Sequence, residues 1–579
     1  MTLGWVDWTV VALYFAISIA VALGYSRRAG ASSSEFFLSG RAVPWWLAGT
    51  SMVATTFAAD TPLAVTGLTV KHGIAGNWLW WSFVMSGMLT VVFYARLWRR
   101  AGVMTDAEFA EIRYSGAPAA FLRGFRACYL GLAINSIIIG WVTAAMVKVL
   151  GLTLGLGRWQ ATVALFVLTG LYSTISGLWG VIVTDFFQFA LAMTGCIALA
   201  VFALNAVGGM SGLVAALHAR FPDDAPLRLV PALDSAWMPA IAFFAYLAVN
   251  WWASWYPGAE PGGGGYVAQR IMSTKNERHA LLAALWFNIA HYALRPWPWI
   301  LVALVSMVLH PNLADPESGY VLVMNQLLPP FWRGLLLAAF FAAYMSTIST
   351  QLNWGASYLV NDVYRRFWAP GRDERHYANA GRAATLLMMV IAGVATLFIG
   401  SVEGAWKFLL ALGAGTGLVY LLRWYWWRIN AWSEVSAMVV AFVVSLALQG
   451  WFGLSGDDPR GFAILLMTTT AVTTAAWLTV TYLTAPEPRE RLREFYARAR
   501  PGGPGWTAVA PEATGDATLG RGLVQWAVGC AVVYLGLFGI GDLLLGRPVR
   551  GLVMLVIGAV LTAWLVASTA AGTSESRVV

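Results

Sequence analysis

Charge is what this sequence lacks most. Only 11% of its 579 residues are Asp, Glu, Lys or Arg, where a soluble domain carries about 25%. With 59% hydrophobic residues and a mean hydropathy of +0.66, the chain cannot coat a water-facing surface. Cysteine is nearly absent too. Cys128, Cys196 and Cys530 all lie within apolar runs, so no disulfide framework and no CxxC site is expected. The six histidines show no metal-ligand spacing. The ten-residue alternating segments of a membrane barrel are missing. There is no nucleophile–base pair, metal motif or nucleotide loop, so the sequence does not read as an enzyme.

What the chain has in abundance is apolar runs of about twenty residues, the pattern of membrane-crossing helices. An all-α membrane protein is expected, with about 15 transmembrane helices over residues 7–25, 45–68, 74–97, 120–150, 159–179, 182–207, 236–257, 279–309, 333–361, 382–401, 404–426, 432–451, 461–484, 521–543 and 549–571. The first run has no positive charge before it and "SRR" after it, the reverse of a cleaved signal peptide. It reads as a retained helix with its N-terminus outside. On that topology "SRRAG", "RLWRRAG", "QRIMSTKNERH", "YRRFWAPGRDERH" and "RERLREFYARAR" fall on the cytoplasmic side, and "NLADPES" and "SGDDPR" outside. This matches the positive-inside bias. Arg547 and Arg550, placed outside, are the misfits. The net charge of +9 is spread over loops, so no nucleic-acid partner is implied; the lipid bilayer is the partner it fits. Protein partners are not indicated, and a bacterial-type inner or plasma membrane is the expected location.

Two spans are interrupted. The second contains "AADTP" (58–62), and the seventh runs into "PGAEPGGGG" (257–265). Proline and glycine free backbone groups there, which a membrane tolerates only beside a cavity or other protein. If spans 2–6 and 7–11 form two five-helix repeats, the odd length inverts one against the other, and each repeat opens on a broken helix. Such a pair marks a transporter's binding site. The alternative is that "PGAEPGGGG" is a loop beyond the membrane. The resulting organisation is an extra helix and loop (1–44), a first inverted repeat (45–207), a second (236–427), two peripheral helices (432–484), a cytoplasmic amphipathic segment at the membrane surface with a linker (485–520), and two C-terminal helices (521–579).

The stretch "AAYMSTIST" (342–350) places Ala343, Ser346, Thr347 and Thr350 at i, i+3, i+4 and i+7, on one helical face. Hydroxyls and a carbonyl gathered there suit a small hard cation. They equally suit bonding back to the i−4 carbonyl or close helix packing. A second polar face is Asn288, His291 and Arg295 in "WFNIAHYALRPWPWI". An intramembrane arginine is costly and is a functional candidate by default. Arg295 suits a substrate carboxylate by its bidentate fork. The alternative is a structural ion pair with Asp60 or Glu260. Most of the 31 tryptophans read as interfacial belts and packing.

Four motifs carry a resemblance: "FFLSGRAVPWWLAGTSMVATTFAADTPLAVTG", "ISGLWGVIVTDFFQ", "YVAQRIMSTKN" and "AAYMSTISTQLNWGASYLVNDVY". In this order, over roughly residues 7–451, they resemble the solute:sodium symporter family. The resemblance implies a leucine-transporter-like fold with a 5+5 inverted-repeat core, a sodium ion as the coupling ion and a small-molecule solute as cargo. It implies sodium donors at the carbonyls of Ala54, Phe57 and Ala343 and the hydroxyls of Ser346 and Thr347. Asp185 falls on the sodium exit path. Thr61 and Trp80 fall at substrate contacts, and Tyr266 at an inner gate. Trp80 stands near an acidic contact of the family's sugar symporters, and Gly265 replaces a polar residue; both departures weigh against simple hexose recognition. The function this implies is sodium-coupled import of a sugar, sugar acid, amino acid or carboxylate. A proton-coupled transporter with a vestigial sodium site and a non-transporting sensor are the alternatives.

Overall fold

A long apolar run in lipid satisfies its backbone through the helical ladder, which is why these segments are helices. The computed structural model describes residues 3–29, 33–223, 225–234, 237–256, 258–454, 458–511 and 517–570. Among them, regular structure is helical apart from one isolated bridge, Val43 to Thr274. In chain order come α1 (Trp5–Ala29), α2 (Trp45–Thr56), α3 (Asp60–His72), α4 (Ile74–Ala101), α5 (Gly116–Leu154) and α6 (Arg158–Ala206). They are followed by α7 (Ala240–Ala253), α8 (Gly265–Ser273), α9 (Glu277–Leu309), α10 (Trp332–Trp368) and α11 (Glu374–Thr396). The chain ends with α12 (Val402–Gly413), α13 (Gly417–Tyr425), α14 (Ala431–Phe452), α15 (Pro459–Leu483), α16 (Arg489–Ala499), α17 (Ala517–Leu544) and α18 (Pro548–Ala570).

Every expected span is helical, but the count by length is smaller. Among the described residues ten helices are long and apolar enough to cross a membrane, or eleven with α12 and α13, which meet at a 49° bend, taken as one. Three causes account for the difference from fifteen. The apolar part of α1 that qualifies, Trp5–Val21, is shorter than a membrane-length helix. The breaks divide spans 2 and 7 into pieces too short to qualify alone. Spans 159–179 and 182–207 both fall within the helical stretch α6, whose two parts have different neighbours. A Cβ at Gly170 would touch Met389 of α11, and one at Gly195 would touch Leu336 and Ala339 of α10.

Burial separates core from rim. The apolar window of α10 is 94% buried and that of α9 is 83%, against 22% for α14 and 17% for α18. The hydroxyl helix therefore runs through protein. The misfit arginines are neutralised locally: Arg550 Nη2 lies 2.8 Å from Oδ1 of buried Asp542, with Arg547 at 3.7 Å from the same carboxylate.

Both expected breaks are present and buried. Phe57, Ala58 and Ala59 separate α2 from α3. Residues Gly258 to Gly265 between α7 and α8 are buried without exception, so the glycine run is not an exposed loop. Gly262 and Gly263 adopt φ of +77° and +76°, a left-handed backbone that glycine takes without strain. The carbonyl of Gly262 accepts from Trp98 Nε1 at 2.8 Å. Such unwound backbone is tolerated at membrane depth because protein surrounds it.

The segment after α15 differs from expectation. Its apolar side does not lie on lipid. Leu492, Phe495 and Ala499 of α16 are buried, and so is Trp506 beyond it. Phe495 stacks on Trp506 at 5.6 Å and meets Phe109 edge-on, while Arg113 lies 5.0 Å above the Trp506 ring. Trp506 Nε1 donates to the Trp424 carbonyl at 2.8 Å. Protein aromatics take up the face that the amphipathic pattern offers to a membrane surface. Trp506→Phe keeps most of the ring but strands a buried carbonyl, an effect of about 1–3 kcal/mol. The expected result is a lower melting temperature of the detergent-solubilised protein, and an unchanged one would show that the hydrogen bond contributes nothing.

Candidate functional site

The site forms where α10 passes the break between α2 and α3. The Phe57 N–H is shared by the carbonyls of Val53 (2.9 Å) and Ala54 (3.1 Å), which tightens the last turn of α2. Thr347 Oγ1 lies 2.7 Å from the Thr55 carbonyl and 3.1 Å from that of Ala343. Its one proton serves one carbonyl at a time, leaving the other as a bare acceptor beside the hydroxyl's own lone pairs. One turn along, Thr350 Oγ1 is 3.2 Å from Thr55 Oγ1. Neutral oxygens from two helices converge, and this donor chemistry suits a small hard cation.

Ser346 adds a carboxylate to this cluster. Its hydroxyl donates to Asp185 Oδ1 at 2.6 Å, and Ser51 donates to Oδ2 at 2.5 Å. Arg270 Nη2 lies 3.9 Å from Oδ2. Arg270 also donates to Ser51 (3.2 Å), Thr350 (2.7 Å) and Gln269 (2.7 Å). Asp185 and Arg270 are wholly buried. The apolar run 182–207 would put Asp185 in the first turns of a helix, but α6 is helical from Arg158, so Asp185 stands well inside it.

Thr347 also lines a partly open cavity beside the break. Thr61, Trp80, Tyr266, His291 and Arg295 line it as well. Thr61 Oγ1 donates to the Thr56 carbonyl at 3.2 Å. Trp80 stacks on Tyr292 at 5.7 Å and donates to Asn77 Oδ1 at 2.9 Å. Tyr266, on α8, covers the second break. A Cβ at Gly258 would come within 2.3 Å of its hydroxyl.

Asn288 is not among the lining residues. The helix widens to a π turn over Ala290–Leu294, where the Arg295 N–H reaches the Ala290 carbonyl at 3.2 Å. This turn precedes Pro296, which has no N–H to give, and it breaks the regular spacing that put the three polar residues on one face. Asn288 donates instead to the Ala284 carbonyl and packs so closely on Gly87 that a Cβ there would lie 1.8 Å from its Oδ1.

The alternative reading of Arg295, an ion pair with Asp60 or Glu260, is not seen among the described residues. Among the described residues no carboxylate lies within 4.0 Å of its guanidinium. Its fork is occupied by neutral acceptors: Thr56 Oγ1 (3.0 Å), the Val53 carbonyl (3.3 Å) and the His291 carbonyl (3.2 Å). Glu260 accepts the Gly258 N–H at 3.1 Å, and Asp60 accepts Trp406 Nε1 at 3.1 Å. Thr56 donates to backbone carbonyls of its own helix, so it accepts from His291 Nδ1–H (2.9 Å), and the lone pair of Nε2 faces Arg295 at 3.4 Å. Sequence reasoning did not single out Thr55, Ser51, Tyr256 or Trp406. Thr55 and Ser51 stand inside a quoted motif, whereas Tyr256 and Trp406 carried no local signal.

An all-helical membrane chain with two broken helices around an internal cavity is built as a secondary transporter. The pattern of the Sodium:solute symporter family matches residues 36–441, and the chain belongs to that family, whose members are transporters rather than enzymes. It is 24% identical to a Sodium/glucose cotransporter of Vibrio parahaemolyticus, over 77% of this chain and 86% of that one. It is 24% identical to Sodium/glucose cotransporter 1 of Oryctolagus cuniculus, over 76% and 71%. A substrate-bound, outward-open structure of a Na+-coupled sialic acid symporter shares the fold, with a TM-score of 0.67 and 21% identity, covering 84% of this chain and 99% of that one.

Proposed function

We propose that the chain is a sodium-coupled symporter that imports a small polar organic solute by alternating access, with its N-terminus outside and two inverted repeats rocking about the buried site. Sodium is held by the carbonyls of Ala54, Phe57 and Ala343 and the hydroxyls of Ser346 and Thr347, with Thr55 as a further carbonyl donor. The observation that carries this reading is the meeting of Thr347 with the Thr55 carbonyl at a helix break, on a residue that also lines the cavity. One side chain then touches both ion and solute, so filling one site pre-orders the other. Asp185 receives the ion on its way out, since it accepts from the Ser346 hydroxyl. The solute lies against Thr61, Trp80, Tyr266, His291 and Arg295.

A thermal-shift screen of sugars, sugar acids, amino acids and carboxylates, with and without sodium, tests this reading. A ligand that binds the folded state raises its stability by mass action, and hits should appear only when sodium is present. Hits indifferent to sodium would contradict the coupling. Arg295→Lys keeps the charge and loses the fork. The expected result is about tenfold weaker solute binding, equivalent to about 1.4 kcal/mol, with sodium affinity retained. Unchanged solute binding would remove Arg295 from the site.

A further inference from the structure

The cavity carries two opposite charges that do not meet. Asp60 and Arg295 both line it, at 3% and 1% exposure. Asp60 enters from the start of α3. Its Oδ2 takes the indole N–H of Trp406, and its Oδ1 has no partner among the described residues. Arg295 enters from the far side of the π turn. Every hydrogen bond it makes is to a neutral acceptor, and its guanidinium lies 5.3 Å over the Trp299 ring. Among the described residues neither group has an oppositely charged atom within 4.0 Å. A buried charge left this way is costly unless something pairs with it, and the space between the two is the cavity.

We infer, on the footing of the symport reading above, that the solute is a small zwitterion whose carboxylate meets Arg295 and whose ammonium meets Asp60. Such a molecule pairs both charges and leaves the net charge of the cavity unchanged. A lone carboxylate leaves Asp60 unpaired and facing a second anion. A lone amine does the same to Arg295. An uncharged sugar leaves both unpaired. The walls agree with this division. Near Asp60, Trp406 meets Tyr256 edge-on at 5.8 Å, and Tyr256 stacks on Phe83 at 5.6 Å. All three line the cavity, and aromatic faces favour a cation.

The test uses the full-length protein in detergent with saturating sodium. The probes are L-alanine, β-alanine and γ-aminobutyrate as zwitterions of increasing charge separation, propionate and propylamine as their single-charge counterparts, and D-glucose. At least one zwitterion should bind, with propionate, propylamine and glucose each at least tenfold weaker. Asp60→Asn should weaken that zwitterion about tenfold while leaving propionate unchanged or better bound, and Arg295→Gln should do the converse with propylamine. The sodium-induced rise in melting temperature shows that each variant is folded, and the comparison of probes on the unaltered protein stands even if a variant is not. Propionate or glucose binding as tightly as every zwitterion, or no zwitterion binding at all, would overturn the inference. Sodium-dependent glucose binding would do so while leaving sodium symport intact. Zwitterion binding indifferent to sodium would instead overturn symport and leave this inference standing.

Discussion

Ser346→Ala and Thr347→Ala each raise the sodium concentration for half-maximal binding by about 5- to 150-fold, and the double variant raises it further. Each change deletes one of the oxygens proposed to replace the ion's hydration shell, and a polar contact to a charged group contributes about 1–3 kcal/mol. The two substitutions are not equivalent. Thr347 touches the Thr55 and Ala343 carbonyls, so its loss also uncouples α10 from the break. Ser346 touches Asp185, so its loss leaves that carboxylate with Ser51 and Arg270. Thr347→Ser should therefore rescue sodium binding almost fully, because it restores the oxygen without the methyl. Titration of sodium against melting temperature checks all four variants. An unchanged midpoint in both single variants would remove these hydroxyls from the ion site.

Asp185→Asn slows sodium-dependent transport by about 10- to 150-fold, the range for losing a hydrogen bond to a charged partner. The amide retains the shape and can still accept from Ser346 or Ser51, but the charge is gone. Arg270, fully buried, then has no carboxylate within 4.0 Å among the described residues. Removing one member of a buried pair is destabilising because the remaining charge is uncompensated. Its bonds to Ser51, Thr350 and Gln269 should hold Arg270 in place, so the variant is expected to fold with a lower melting temperature. Sodium affinity should fall less than in Thr347→Ala, since Asp185 lies beside the proposed donors rather than among them. Wild-type turnover together with wild-type stability would remove Asp185 from the mechanism.

The periodicity of apolar runs was enough to locate the membrane-length helices, because lipid leaves the backbone no alternative, but not shorter ones such as Gly209–Arg220 and Gly319–Leu327. The breaks at 58–62 and 257–265 were legible because proline and glycine interrupt the ladder whatever surrounds them. Tertiary choice was not legible. Asn288 is engaged by the Ala284 carbonyl and packs on Gly87 instead of the cavity, a tertiary choice that i, i+3, i+7 arithmetic does not see. Arg295 did not pair with Asp60 or Glu260, because the fork of an arginine finds backbone carbonyls and hydroxyls that no spacing rule reveals. The amphipathic pattern of Arg489–Ala499 was read correctly as having one apolar face, but sequence alone could not distinguish lipid from Trp506 and Phe109 as what covers it. The meeting of Thr347 with Thr55 joins residues 292 positions apart and could be reached only through a resemblance.

The central claim is that a sodium gradient drives solute import, and transport in proteoliposomes tests it most directly. Purified protein is loaded into sodium-free vesicles, and uptake of a solute found by the binding screen is followed under an inward sodium gradient, an equal potassium gradient and an inward proton gradient. The account predicts accumulation above equilibrium only with the sodium gradient, and collapse of that accumulation when a sodium ionophore is added. Accumulation that proceeds equally in potassium, or that follows the proton gradient with no sodium present, would contradict it.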